Sequence, residues 1–322
     1  MEERKKFMQI WPFVFLAIGL VFIIKGSDWF VDAAIWFAAF FRVPQLIIGA
    51  VLVSACTTLP ESVVSVSSAV MGNSDIALGN AIGSIAFNTG FILGLVLLIA
   101  RPSIGGRREF FKNGALLMAL LLYVMVNIYL FSGIPRMSGF ILLGIFVLFL
   151  FHNVRAAKKG DMVCEQMDTD AKDFWRMAAL FFIGAALTFF GARLLVINAE
   201  RIAAMMHISD SVIGLTVAAM GTSLPELVTA IMAMRKNACN LCVGNIIGAN
   251  IYNILMVIAL SSTIGVIHAD RIWLTFYVPM ALLINLTLLL LAWVNPKRFT
   301  RLDGLTILAL YGVYFVLMAF WI

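Results

Sequence analysis

The sequence predicts an all-α integral membrane protein of ten transmembrane helices, arranged as two inverted five-helix repeats. Three observations carry that expectation. Hydrophobic residues make up 62% of the chain and charged residues 12%, with a mean hydropathy of +1.01, whereas a soluble domain holds about 25% charged residues. A membrane span takes about 20 apolar residues, so a chain of this length with short connections divides into about ten spans. Finally, the string Thr57-Thr58-Leu59-Pro60-Glu61 returns 165 residues later as Thr222-Ser223-Leu224-Pro225-Glu226. The same offset relates Gly26 to Gly191, Gly49 to Gly214, Gly79-Asn80 to Gly244-Asn245, Gly83 to Gly248 and Asn88 to Asn253.

Taken in order, the apolar runs place spans at 8–38, 45–70, 76–100, 112–132 and 136–154, then at 174–204, 210–234, 240–265, 272–294 and 302–322. The first run follows the charged stretch Glu2 to Lys6 but lasts about thirty residues, too long for a signal-peptide core, and no small-residue cleavage pattern follows it. It reads as the first helix. The expected division is therefore 1–154 as the first repeat, 155–173 as a linker loop and 174–322 as the second repeat. Because five is odd, the second repeat enters the membrane inverted relative to the first, as in many secondary transporters, and its motif is brought to face its counterpart.

Basic residues set the orientation. Arg4, Lys5, Lys6, Arg136, Arg201 and Arg271 fall on one side. The other side carries Arg42, Arg101, Arg107, Arg108, Lys112, Arg155, Lys158, Lys159, Lys172, Arg176, Arg235, Lys236, Lys297, Arg298 and Arg301. The richer side is expected to be cytoplasmic, with both termini outside and the linker inside a cell (plasma or inner) membrane. The linker mixes Asp161, Glu165, Asp168, Asp170 and Asp173 with its bases, a composition that suits either a solvated connection or a regulatory cation site. The net charge of +6 is accounted for by these topology signals, and no soluble basic domain exists to hold nucleic acid. Cys239 and Cys242 form a CxxC without a second ligand pair nearby, short of the four ligands of structural zinc. His152, His207 and His268 all fall near span ends and are expected at the interface.

The repeated motif carries the chemistry. Proline inside a helix removes a backbone donor and crowds the preceding turn, so Pro60 frees the carbonyl of Cys56 and disturbs that of Thr57, and Pro225 does the same to Gly221 and Thr222. Bare carbonyls at membrane depth are tolerated only where they line a cavity or meet a partner, and Ca²⁺ or Na⁺ is a partner that takes oxygen ligands. Glu61 and Glu226 add the charge, and a carboxylate at that depth is functional by default. Further along, Asn80, Ser84 and Asn88 recur every four residues on one helical face, matched by Asn245, Ala249 and Asn253. Gly79 with Gly83, and Gly244 with Gly248, allow a neighbouring helix to approach. Asn88 and Asn253 are expected in the ion site; for Asn80 and Asn245, ligation and helix adhesion both remain open.

These motifs resemble the two alpha-repeats of the sodium/calcium exchanger branch of the calcium/cation antiporter superfamily, over nearly the whole chain. The resemblance implies ten helices in two inverted repeats, with the second and third helices of each surrounding the ions. It implies Ca²⁺ binding by Glu61 and Glu226 with the carbonyls of Thr57 and Thr222. It further implies Na⁺ ligation by these groups with Ser54, Thr58, the Ala219 carbonyl, Ser223 and Ser84, and a central polar pair at Asn88 and Asn253. Sliding of helices one and six is the implied motion, with Gly19, Gly26, Gly184 and Gly191 as small residues that either permit it or simply pack. The chain departs from the family at Cys56, Ile85, Ala249 and Asn253, the last standing where an aspartate is usual. Two formal negative charges remain, enough for one Ca²⁺.

The expected function is therefore antiport of Ca²⁺ against Na⁺ by alternating access. H⁺-coupled exchange of Ca²⁺ or another divalent cation and a passive cation channel stand as alternatives. No cofactor is called for beyond the transported ions Ca²⁺ and Na⁺, with H⁺ open. The expected partners are those ions and the lipid bilayer, with no nucleic acid and no obligatory protein. No nucleophile and base pair marks an enzyme. Two further expectations concern buried charge on the long first helix: Asp28 pairs either with Lys25 or with Arg193, and Asp32 shares its face.

Overall fold

A computed structural model of the protein describes residues 2–158, 170–205 and 221–321. The predicted helices form almost without gaps. They are α1 (Glu2–Phe40), α2 (Gln45–Thr57), α3 (Leu59–Val70), α4 (Ser74–Ala100), α5 (Arg107–Phe131) and α6 (Arg136–Lys158) in the first half. The second half contributes α7 (Phe174–Met205), α8 (Leu224–Arg235), α9 (Cys239–Ile264), α10 (Trp273–Val294) and α11 (Arg301–Trp321). Among the described residues, eight helices are long and apolar enough to cross a membrane, and the pair α2 and α3, bent by 46°, makes a ninth. The span expected at 210–234 begins outside the described residues, and α8 is its second part.

Burial sorts these helices into a centre and a rim. In α9, 94% of the most apolar window is buried, and in α4 72%, whereas none of the other six unbroken spans exceeds 39%. The centre thus consists of one helix from each half at mirrored positions, and the others present apolar faces outward, as contact with lipid requires.

The twofold relation appears in backbone contacts as well as in sequence. Two small strands, β1 (Gly133–Ile134) and β2 (Ile267–His268), pair antiparallel with Gly133 opposite His268. The mirrored positions Ser103 and Arg298 pair in the same way, so each half ties its loops to the other twice. These strands were not predicted from the sequence, because two residues carry no period. At the ends of α3 and α8 the chain turns through left-handed residues at mirrored positions, Gly72 and Asn237, the usual way a helix stops.

Helices α1 and α7 pack chiefly on each other. A methyl group added at Gly26 would lie 2.7 Å from the Gly184 carbonyl oxygen, and one at Gly19 would lie 2.9 Å from that of Gly191. These two crossings are images of one another under the 165-residue offset. Backbone contact this close requires glycine on both sides.

The charge pairing on α1 differs from expectation. Asp28 pairs with neither Lys25 nor Arg193, both of which are exposed. Instead Lys236, in the turn after α8, places its ammonium 2.7 Å from Asp28 Oδ1 and 2.7 Å from Asp32 Oδ1. The sequence expectation weighed partners on the paired long helices, while the fold brings up a lysine from the end of the Pro-Glu helix. His152 and His268 are exposed, as expected of interfacial residues; His207 lies outside the described residues.

Candidate ion-binding site

The repeated motif breaks its helix in both halves. At Thr58 the backbone leaves the helical region (φ −84°, ψ 5°), and at the mirrored Ser223 it does the same (φ −91°, ψ 9°). Pro60 and Pro225 then sit in the first turn of α3 and α8, where a missing N–H costs least. Each proline therefore opens a new helix after a break rather than kinking a continuous one. The new helices start on the break residues: Ser62 N–H donates to the Thr58 carbonyl at 3.2 Å, and Leu227 N–H to the Ser223 carbonyl at 3.1 Å. This puts Glu61 and Glu226 in the first turn of α3 and α8, where the amide dipoles favour negative charge.

Both glutamates are fully buried, and the charge of Glu226 acts on Glu61. Glu61 Oε1 accepts from the Ser223 hydroxyl at 3.2 Å. That hydroxyl is also 3.0 Å from Ser84 Oγ, which ties the first-half carboxylate to the second-half break and to α4. Glu61 Oε2 and both oxygens of Glu226 have no hydrogen-bond partner among the described residues. The Thr57 hydroxyl lies beside Glu226, but its proton goes to Asn245 Oδ1 at 3.2 Å.

A second ring of bonds braces the two breaks across the twofold axis. Thr222 donates to Asn80 Oδ1 at 2.9 Å, and Asn80 Nδ2 donates to the Glu61 carbonyl at 3.1 Å and to Ser65 Oγ at 2.9 Å. In the mirrored place Thr57 meets Asn245, and the Ser54 hydroxyl has the carbonyls of Gly49 and Asn245 each at 2.9 Å to share its single proton. Asn80 and Asn245 thus hydrogen-bond from helix to helix through Thr222, Ser65 and Thr57. Gly244 and Gly248 allow the accompanying close approach of Leu46 and Ala50. Gly79 faces Trp273 at van der Waals distance, and Gly83 meets no described atom; the positions mirroring Leu46 and Ala50 fall at 211 and 215, outside the described residues.

In α4 and α9 the helix widens into a π turn that begins at Asn88 in one and at Asn253 in the other. Such widened turns concentrate at functional sites because they re-aim side chains and loosen backbone bonds. Asn88 and Asn253 are both fully buried. Among the described residues, Asn88 Oδ1 and both polar atoms of Asn253 lack partners, as does the Thr58 hydroxyl. Ala249, opposite Ser84 in the repeat, offers no hydroxyl. Of the remaining expected site residues, Ala219 lies outside the described residues. A small cavity beside the site is lined by Phe30, Cys56, Thr57, Thr188 and Pro225, and it opens between the α1–α7 pair and the breaks.

Three polar residues escaped the sequence reading. Asn250, Thr89 and Asn285 continue the hydrogen-bonding from Asn88 away from the carboxylates. A lone asparagine within the apolar run of α10 was the available signal for Asn285. Chemically the site is all oxygen and amide. Among the described residues no cluster of three or more His, Cys, Asp and Glu occurs. Unpartnered carboxylate and amide oxygens held at the centre of apolar helices suit a hard cation.

Comparison with known proteins agrees with that chemistry. The family model described as sodium/calcium exchanger protein matches residues 11–155 and 177–320. The chain is 34% identical to a putative antiporter, CaxA, of Alkalimonas amylolytica, over 95% of this chain and 98% of that protein. It is 33% identical to the inner membrane protein YrbG of Escherichia coli, over 95% and 96%. The solved structure of the sodium-calcium exchanger NCX_Mj soaked with Na⁺ and Sr²⁺ superposes with a TM-score of 0.84 at 30% identity, covering 95% of this chain and 98% of the other. A match that spans both repeats, in sequence and in fold, leaves one conclusion: the chain belongs to the sodium/calcium exchanger protein family.

Proposed function

We propose that this protein is a secondary active antiporter that exchanges Ca²⁺ for Na⁺ across a membrane by alternating access. One observation carries the reading. Two fully buried carboxylates, one from each repeat, leave three of their four oxygens without a hydrogen-bond partner among the described residues. A buried charge without a partner costs several kcal/mol, and a bound cation removes that cost. Glu61 and Glu226 together neutralise one Ca²⁺, with the Thr57 and Thr222 carbonyls completing its shell. Na⁺ takes the same carboxylates with Ser54, Thr58, Ser84, Ser223 and the Ala219 carbonyl, and Asn88 and Asn253 stand between the ions. Because the charges are shared, occupancy by one cation excludes the other, which is what couples the two fluxes.

Coupling to H⁺ is the second reading. It is favoured by Asn253 and Ala249, which remove a charge and a hydroxyl from the second half. Three Na⁺ per Ca²⁺ moves one net charge, about 2.3 kcal/mol per 100 mV, whereas two Na⁺ or two H⁺ is electroneutral. Proteoliposomes loaded with Na⁺, or given a pH gradient, and then offered Ca²⁺ separate these. Uptake is expected with the Na⁺ gradient; uptake driven only by the pH gradient defeats the sodium reading, and flux needing no counter-ion supports a channel. The protein resides in a plasma or inner membrane with both termini outside and residues 155–173 cytoplasmic, and it requires no resident cofactor.

A further inference from the structure

We infer that Asn285, Thr89 and Asn250 form a one-way hydrogen-bond chain whose task is to turn the oxygen, rather than the nitrogen, of the Asn88 amide toward the ion. The inference rests on the exchange reading above, and it concerns residues outside the repeated motif.

The direction of the chain follows from donor and acceptor chemistry. Asn285 Nδ2 donates to the Ala281 carbonyl at 2.9 Å. A carbonyl only accepts, so the nitrogen of Asn285 is fixed on that side and its oxygen faces Thr89. Thr89 therefore donates its single proton to Asn285 Oδ1, at 2.8 Å. Having spent that proton, the Thr89 oxygen accepts, and Asn250 Nδ2 donates to it at 2.7 Å. That sets Asn250 Oδ1 toward Asn88, whose Nδ2 donates to it at 3.2 Å. With its nitrogen committed, Asn88 is left with Oδ1, which has no partner among the described residues. An amide oxygen is a cation ligand, whereas an NH₂ group in the same place repels one. All four side chains are buried, none more than 3% exposed, so water does not compete for these bonds.

The other half has no such chain. The positions 165 residues before Asn250 and Asn285 and after Thr89 are Ile85, Leu120 and Ile254, and both polar atoms of Asn253 are unpartnered among the described residues. The two central asparagines are thus inequivalent: Asn88 is pre-set as an acceptor from a helix that lines no other part of the site, and Asn253 is not.

The test uses the full chain in proteoliposomes, with Ca²⁺ uptake measured against Ca²⁺ concentration under a fixed Na⁺ gradient. Thr89→Val and Asn285→Leu are each expected to raise the half-saturating Ca²⁺ concentration about three- to tenfold, the size of one hydrogen bond's net contribution, with the maximal rate kept within about twofold. Thr89→Ser, which keeps the hydroxyl, is expected to restore the wild-type value. The double variant Thr89→Val with Asn285→Leu is expected to be no worse than either single one, because the links are in series. A folded Thr89→Val or Asn285→Leu protein with wild-type half-saturation overturns the inference, as does a Thr89→Ser protein that behaves like Thr89→Val. Should Thr89→Val fail to fold, Asn285→Leu alone decides. Absence of Na⁺-driven uptake by the wild-type protein would instead count against the exchange reading.

Discussion

The hydroxyl of Thr222 donates to Asn80 Oδ1 at 2.9 Å, and this bond is the image of the one that Thr57 makes with Asn245 at 3.2 Å. The two are nevertheless unequal. The Ser54 hydroxyl also lies 3.3 Å from Asn245 Oδ1, which competes for the single proton that Ser54 shares with the Gly49 and Asn245 carbonyls, while among the described residues Thr222 is the donor that serves Asn80 Oδ1. Thr222→Val should therefore cost about 1–3 kcal/mol, the penalty of a buried acceptor left unpaired, and Thr57→Val about 1 kcal/mol or less. Thermal unfolding of the purified variants checks the order; equal losses would mean that the Ser54 contact contributes nothing.

Glu61→Gln and Glu226→Gln should each abolish Ca²⁺ transport while insertion and folding persist. Neutralising one of two charges on a dehydrated divalent ion removes about 3–5 kcal/mol, more than about a hundredfold in affinity. Radioactive Ca²⁺ uptake in proteoliposomes reads this, and near-normal exchange by either variant would strike that residue from the ligands.

Asn253→Asp should alter ion preference or the number of Na⁺ moved per Ca²⁺ more than it alters expression. The side chain is fully buried and has no partner among the described residues, so a new carboxylate there has a cation as its available neutraliser. The ratio of the two tracer fluxes, or the voltage at which exchange reverses, measures the change. An unaltered ratio would mark the position as peripheral.

Lys236 should fasten α1 to the end of α8 at every pH the protein ordinarily meets. Partial burial of its ammonium disfavours the charge, but the hydrogen bonds and charges of Asp28 and Asp32 outweigh that and hold its pKa above the usual lysine value. A group whose pKa is raised by folding contributes fully below its unfolded value, about 10.4, and loses the contribution only as pH climbs through the higher folded value. Lys236→Met should thus lower thermal stability by about 1 kcal/mol, as befits a part-exposed pair, by the same amount at pH 6 as at pH 9, and by less in high salt. A loss confined to one end of that pH range would show that another group is titrating.

Much of this was legible from the chain alone, for reasons that lie in particular residues. Leu59-Pro60-Glu61 and Leu224-Pro225-Glu226 stand out because proline and a charge are both costly inside a membrane and both occur twice at one offset. The spans are legible because apolar length is nearly the sole requirement for crossing lipid. Less visible was what depends on three-dimensional proximity. Lys236 reads as one more cytoplasmic base until the fold sets it against Asp28. Asn80 and Asn245 read equally well as ligands or as braces until their partners Thr222 and Thr57 are seen. Thr89, Asn250 and Asn285 belong to three different helices, and no period in the sequence joins them.

The backbone crossings of α1 and α7 carry a last consequence. Since the meeting of Gly26 with Gly184 becomes that of Gly19 with Gly191 after a half-turn, the two helices meet each other in the same way from above and from below. Its packing contains no arrow. Any bias toward one face must come from places where the half-turn fails, such as Ser27 bonded to Thr188 or the lysine clasp at one end, and the direction of net flux is left to the gradients themselves.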